Sequence, residues 1–316
     1  MKRLRIGTRG SALALWQSRH VAGLLGRTLP GIEIELVEIT SLGDRVTDVP
    51  LSHVEGTGFF TASIEHALIA GEVDIAVHSL KDLPVDSTPG LVVAAVPPRG
   101  PVEDTLCARD GRTLATLPAH ARVGTCSARR TAQVRMLRPD LELVPLRGNV
   151  PTRLRKLAEN QGVDAIVLAA AGLTRLNLDL SGFVVVELPP EWWVPAPGQG
   201  ALAAQCRVDD PEIQSQVATL ADAACVNATR WEREFLRVIE GGCSTPFGCH
   251  VTGTRAYLGI ATERGWAAGT IELPEKPLSQ QDGQRDSFIR AAVAGCKPVE
   301  PSETAVGALG RTLHAR

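Results

Sequence analysis

The sequence predicts an α/β protein with mainly parallel sheets: two such domains joined twice, and a smaller C-terminal α/β domain. Three observations carry this expectation. Short apolar runs alternate with helical patterns of about a dozen residues. Two proline-rich crossings lie roughly ninety residues apart, and a glycine pair closes a long helical stretch near residue 240.

Alternation at residues 32–36 and apolar runs at 74–77, 91–96, 141–144, 165–169 and 183–186 read as strands. Ser11 suits the N-cap of a helix carrying Leu13, Trp16, His20 and Leu24 on one face, and Phe60, Ile64, Ala67 and Leu68 form a second face. Pro97-Pro98-Arg99-Gly100-Pro101 reads as a stiff linker, and Pro189-Pro190, Pro195 and Pro197-Gly198 mark the return. Domain 1 is therefore expected over 1–98 and 198–218, with 199–207 completing it, and domain 2 over 102–191. A helix at 222–240 opens the C-terminal domain, 222–316, whose strands include 255–260 and 265–273. No repeat of fixed period is visible.

Composition excludes several classes. The 316 residues carry 33 Lys+Arg against 35 Asp+Glu, a formal charge of −2, so nothing global drives the chain toward nucleic acid or anionic membrane. Any anion site must be local. Seven cysteines scattered over the chain do not form a disulfide framework, and no run approaches the ~20 apolar residues of a membrane span. The apolar run at 12–16 is shorter than a signal peptide core. A cytoplasmic protein with reduced thiols is the expectation.

Against that neutral background, residues 121–155 hold Arg122, Arg129, Arg130, Arg135, Arg138, Arg147, Arg153 and Arg155, facing only Asp140 and Glu142 in that window. Gly124-Thr125-Cys126-Ser127 follows a strand and precedes a helix, with Arg129-Arg130 in its first turn, and Arg147-Gly148-Asn149 follows another strand. Helix N-termini and guanidinium forks suit carboxylates or phosphates, although any single arginine could equally lie on a solvated basic face. His78-Ser79-Leu80-Lys81-Asp82-Leu83-Pro84 directly follows a strand, where parallel sheets turn polar groups into a cleft. A buried carboxylate flanked by arginines there would stay ionised, while a plain Lys81–Asp82 surface pair is the alternative. Gly241-Gly242-Cys243-Ser244-Thr245-Pro246-Phe247-Gly248-Cys249-His250 reads as a tight exposed loop around a cysteine. Its spacing does not suit a zinc site, and no metal is expected. Cys107, Cys126, Cys206, Cys225 and Cys296 read as small buried hydrophobes. Gly56-Thr57-Gly58-Phe59-Phe60 lacks the lysine and spacing of a phosphate loop and reads as a flexible lid.

Taken together these stretches resemble the hydroxymethylbilane synthase (porphobilinogen deaminase) family of tetrapyrrole biosynthesis. The motifs occur in family order: Gly7-Thr8-Arg9-Gly10-Ser11 with Leu13, Ala14 and Gln17; Leu42-Gly43-Asp44; residues 56–60; residues 76–84; residues 124–130; residues 146–154; Pro197-Gly198-Gln199-Gly200-Ala201-Leu202; and the Cys243 loop. The resemblance runs strongly over residues 4–248. It departs from the family at Leu42, His53, Thr57 and Ala62, where basic residues are common.

The resemblance implies two periplasmic-binding-protein-like domains plus a third, and a transferase that joins porphobilinogen units head to tail. It implies a dipyrromethane cofactor on a thioether at Cys243, and Asp82 as the catalytic carboxylate. It further implies substrate or cofactor contacts from Arg9, Ser11, Gln17, Asp44, Ser79 and Lys81 in the first part of the chain. In the second part they come from Thr125, Cys126, Ser127, Arg129, Arg130, Arg147, Gly148, Arg153, Arg175 and Gln199. A monomer acting on porphobilinogen, without nucleic acid or membrane partners, is expected. The competing readings are a binding protein for a carboxylated small molecule that uses the same two-domain cleft without turnover, and a thiol-redox protein using Cys243 and Cys249.

Overall fold

A computed structural model describes residues 3–40, 61–239, 245–274 and 283–299. In chain order the strands are β1 (Arg3–Thr8), β2 (Glu33–Glu38), β3 (Ile75–Ser79), β4 (Leu91–Ala95), β5 (Asp104–Ala108), β6 (Arg122–Gly124) and β7 (Glu142–Val144). They continue with β8 (Ala165–Ala169), β9 (Val184–Leu188), β10 (Leu202–Arg207), β11 (Phe247–Thr252), β12 (Arg255–Thr262), β13 (Gly265–Glu272) and β14 (Lys297–Pro298). The described helices are α1 (Ala12–Thr28), α2 (Ala62–Ile69), α3 (Ala128–Leu137) and α4 (Val150–Ala158), then α5 (Ala170–Leu176), α6 (Pro211–Ala218), α7 (Ala223–Val238) and α8 (Gln284–Ala294).

The chain divides into two compact units, residues 1–100 with 198–230, and residues 101–197 with 231–316. The division falls inside α7. The first unit holds a five-stranded sheet in the order β2-β1-β3-β10-β4, and the second holds one in the order β7-β6-β8-β5-β9. The same plan underlies both. Three strands pair in parallel, and one strand is inserted antiparallel before the last: β10 between β3 and β4, and β5 between β8 and β9. Four of the five strands in each sheet thus run the same way. The mainly parallel α/β expectation holds in these two sheets. The third sheet, β11-β12-β13-β14, is wholly antiparallel and lies in the second unit.

Each sheet has its own core. Ile6, Val21, Leu25, Ile75, Ala204 and Val217 pack about the first, and Leu106, Val123, Val134, Val167, Val186 and Trp193 about the second. Burying a large apolar side chain contributes about 1.5–3 kcal/mol, so these clusters hold the strands that carry the site.

Two local expectations change. On α1 the buried residues are Gln17, Ser18, Val21 and Leu25, so the inward face is rotated from the expected Leu13–Trp16–His20–Leu24 stripe. Trp16 and His20 stack on each other instead, with ring centroids 5.0 Å apart. β1 and β5, absent from the sequence reading, each pair on both sides; both mix polar residues with apolar ones, so no clean apolar run marks them.

Candidate active site

In the first unit, the candidate residues gather at the ends of β1 and β3. Ser11 caps α1, its Oγ accepting from the Ala14 N–H at 3.3 Å. From the next turn Gln17 donates through Nε2 to Ser79 Oγ at 2.8 Å. After Ser79 the chain forms a single 3₁₀ turn, Leu80–Asp82. The loop before β10 seats that turn. Leu80 N donates to Ala201 O at 3.0 Å, and Lys81 Nζ donates to Gln199 Oε1 at 3.2 Å. Gly198, at φ +73°, lies so close to the turn that a side chain would sit 3.2 Å from the Lys81 backbone nitrogen, and the backbone angle and the tight approach both favour glycine.

Asp82 stands on this turn exposed, and its carboxylate makes no hydrogen bond or ion pair among the described residues. The expectation of a buried carboxylate is corrected. Ser11, Gln17 and Gln199, by contrast, bond within the protein, to α1, Ser79 and Lys81.

Beneath the turn lies a buried polar chain that the sequence reading did not find. Gln205 donates through Nε2 to Glu65 Oε1 at 2.9 Å, turning its own Oε1 toward His78, which donates through Nε2 at 3.1 Å. Burial pushes the His78 imidazole down to about 4, against the opposing pull of Glu65 and Gln205. The fold therefore favours the neutral ring. As pH falls below the ordinary 6.5, the unfolded chain takes up this proton first, and stability drops until about pH 4. The contribution is complete above that window and is of order 3 kcal/mol. His78→Gln is expected to flatten the pH dependence of the melting temperature between pH 6.5 and 4. An unchanged slope would count against this account.

In the second unit, β6 ends at Gly124 and α3 begins after Ser127, whose Oγ accepts from Arg130 N at 3.4 Å. Thr125 Oγ1 accepts from Ser127 N at 3.1 Å. Cys126 is exposed, with its thiol 3.4 Å from Leu146 O, and Cys296 is half-buried, so these two are corrected from buried hydrophobes. Cys107, Cys206 and Cys225 are buried as expected, and burial pushes the Cys107 thiol up to about 12. Cys249 is also buried, paired with Leu258 in the β11–β12 ladder, and so belongs to a strand and not to a loop.

Arg129 and Arg130 point inward, and their partner is Asp104. Its carboxylate, 0% exposed, accepts from Arg130 Nη2 at 2.7 Å on Oδ1, and from Arg129 Nη2 at 2.8 Å and Trp193 Nε1 at 2.7 Å on Oδ2. Burial alone would raise the Asp104 carboxyl, but the two guanidiniums outweigh it and hold it well below the usual carboxylate range. The expectation that only Asp140 and Glu142 face these arginines is corrected, because Asp104 reaches them from the neighbouring layer. An aspartate at the head of the five-residue, fully buried strand β5 was the available signal, since a buried charge needs partners.

Arg147 and Arg153 differ. Arg153 donates through Nε to Gly148 O at 2.7 Å, and burial and then the charges of Arg130 and Arg147 pull its guanidinium down. Arg130 and Arg147 thus both lie near enough to Arg153 to act on its charge, and Arg130 is itself paired with Asp104. Arg175, near the end of α5, is pushed down to about 10 by burial. Asp44, Cys243 and the Gly56–Phe60 stretch lie outside the described residues.

A model of the porphobilinogen deaminase family, described as its dipyromethane cofactor binding domain, matches residues 4–215. The chain belongs to the porphobilinogen deaminase family. It is 45% identical over 282 residues to the porphobilinogen deaminase of Syntrophotalea carbinolica, covering 88% of this chain and 89% of the relative. The porphobilinogen deaminase of Pelobacter propionicus is 45% identical over 302 residues, 96% of this chain and 90% of the relative. Among solved structures, a Salmonella typhimurium periplasmic binding protein of high arginine specificity is 12% identical over 72% of this chain and 94% of its own, at a TM-score of 0.42. No described helix is long and apolar enough to cross a membrane, and among the described residues no cluster of His, Cys, Asp and Glu could hold a metal ion.

Proposed function

We propose that this chain is a hydroxymethylbilane synthase, a transferase of tetrapyrrole and heme biosynthesis. It joins four porphobilinogen units head to tail with release of ammonia, then hydrolyses the linear tetrapyrrole hydroxymethylbilane from the protein. Family membership over residues 4–215 carries the reading. The dipyrromethane cofactor, thioether-linked at Cys243, supplies the terminal pyrrole carbon to which the first substrate is joined. The positive surroundings of Arg153, with Arg130 and Arg147 nearby, suit such a carboxylate-rich occupant.

Each substrate pyrrole carries an acetate and a propionate, so the growing chain accumulates carboxylates. Arg9, Arg130, Arg147, Arg153 and Arg175 are proposed to take them, with Ser79, Lys81, Thr125, Cys126, Ser127 and Gly148 completing the contacts. When the substrate's aminomethyl group leaves as ammonia, a cationic azafulvene remains. Asp82 is proposed to accept from its pyrrole N–H and stabilise the positive charge. A pyrrole carbon attacks the methylene, and the proton on that carbon then leaves to restore the aromatic ring. In the last step the methylene–carbon bond that ties the product to the protein breaks, that carbon takes back a proton, and water adds to the freed methylene to give the hydroxymethyl group.

The reading includes a cytoplasmic monomer acting without nucleic acid or membrane, and the division at 1–98 with 198–218, 102–191 and 222–316. A non-catalytic binding protein is not favoured, since such a protein has no use for Asp82 and Cys243 together. Burial of Cys249 also speaks against the redox pair. Incubation with porphobilinogen should release ammonia and, after cyclisation and oxidation, form uroporphyrin; neither product would leave the binding-protein reading standing.

Arginines of this stretch should separate by role. Arg138 donates to Asp140 at 2.6 and 2.8 Å and to the Leu114 and Leu117 carbonyls, all within the fold. Arg138→Lys should lower the melting temperature and leave KM near wild type. Arg147→Lys keeps the charge but loses the fork, and KM should rise about ten- to hundredfold, the value of one charged hydrogen bond. Equal effects on KM would contradict the assignment.

A further inference from the structure

The polar chain Glu65–Gln205–His78 lies wholly within the first unit and is buried along its length, its side chains 5%, 2% and 4% exposed. Ile75 and Val77 of β3 pack with α1, whereas Ala76 packs with Ile64, Ala67 and Leu68 of α2. By the alternation of a strand, His78 shares the α2 face with Ala76, and Ser79 faces α1, where Gln17 holds it. The last two residues of β3 are thus held from opposite sides of the sheet, immediately before the 3₁₀ turn that carries Asp82. Gln205 stands on β10, the strand that leads out of that turn's seat, where Leu80 N donates to Ala201 O and Lys81 donates to Gln199. A shift of β10 along β3 therefore moves the seat against the turn. Apolar patterning does little to prevent one. Ala203 opposes His78, Ala204 opposes Val77, and β10 is buried from Leu202 to Cys206, so a slip exchanges one buried face for another. On its other side β10 pairs irregularly with β4: Ala204 opposes Ala95 but Gln205 opposes Val93, with Ala94 left over between them. At this irregularity Gln205 reaches two residues along the ladder to His78 and across to Glu65, in the first turn of α2.

We propose that Gln205, with Glu65 and His78, is a positioning residue for the reaction: the three lock the register of β10 on β3 and so hold the turn carrying Asp82 in its seat. The proposal rests on the reading of Asp82 as the catalytic carboxylate. None of the three bonds to Asp82, so they act through the strand. Two physical points favour position over bulk stability. A buried polar chain gains little over apolar groups of the same shape, because desolvation offsets most of the attraction. Its bonds are directional, however, and fix one register where apolar contacts tolerate several.

The test uses the full-length holoenzyme and measures kcat, KM for porphobilinogen, melting temperature and amide hydrogen exchange at Leu80 together. Gln205→Met keeps the length of the side chain but removes both bonds. A displacement of about 1 Å costs up to about 10²-fold, so kcat should fall roughly ten- to hundredfold. KM should stay within about threefold, because the arginines proposed to take the carboxylates are untouched. The Leu80 amide, which bonds Ala201 O, should exchange faster. In an Asp82→Asn background Gln205→Met should cost no further factor, since the group to be positioned is already gone. Glu65→Gln retains an acceptor for Gln205 and should keep most of the turnover. Should Gln205→Met not fold, the triple variant Glu65→Met/His78→Leu/Gln205→Met leaves none of these groups unpaired and should fold with the same loss of kcat. Val217→Ala, a cavity in the core of the same unit, is the stability control and should keep the wild-type kcat. A kcat loss no larger than in a Val217→Ala protein of equal or lower melting temperature, unchanged exchange at Leu80, or a full further loss on Asp82→Asn would overturn the proposal. If Asp82→Asn alone keeps near-normal turnover, the reading of Asp82 and this proposal fall together. If Asp82→Asn loses turnover and the lock variants do not, only the proposal falls.

Discussion

Asp82→Asn is expected to lower turnover roughly 10²–10⁴-fold while the protein folds normally. The amide keeps the shape of the carboxylate but cannot balance the cation left when ammonia departs. Folding should be spared because Asp82 is exposed and without a partner among the described residues, and surface changes of that kind usually stay within about 0.5 kcal/mol. The turn itself is held by others, through Leu80 N on Ala201 O and Lys81 on Gln199. The check is steady-state turnover beside a thermal melt. Near-normal turnover would remove Asp82 from the mechanism, and a large fall in melting temperature would show that its role is structural.

Cys243→Ser should abolish turnover to background. A serine hydroxyl is almost wholly protonated near neutral pH and cannot replace a thiolate as nucleophile toward the azafulvene. Intact mass should show an excess of two pyrrole units in wild type that vanishes in Cys243→Ser. Cys249→Ser is the control, with a changed rationale. Its thiol is buried in β11, so a hydroxyl there should cost about 1–3 kcal/mol of stability and leave the adduct in place. An adduct that survives in Cys243→Ser would place the attachment elsewhere.

The motif stretches were legible in the sequence because each is local. Ser11 and Ser127 cap their helices with their own side chains, a property of a few consecutive residues. The strand ends at Ser79 and Gly124 stand where apolar runs stop and polar residues begin. Lys81 beside Asp82 looked like a possible surface pair, yet Lys81 bonds Gln199, which is 118 positions away. The inward face of α1 departs from its apolar periodicity for a related reason. Gln17 is buried because Ser79 waits for it across the sheet, and no helical periodicity of apolar residues records that.

By itself the sequence determined the alternation of strands and helices, the caps, the strand ends that carry the candidate residues, and the family. Local steric and hydrogen-bonding preferences, together with an ordered set of short motifs, suffice for these. Only the tertiary structure decided the antiparallel insertion of β10 and β5 into their sheets, and that Arg129 and Arg130 share the buried Asp104. Both depend on pairing between distant segments: Asp104 lies 25 positions from Arg129 and 89 from Trp193, and burial of its charge is tolerable only where all three meet.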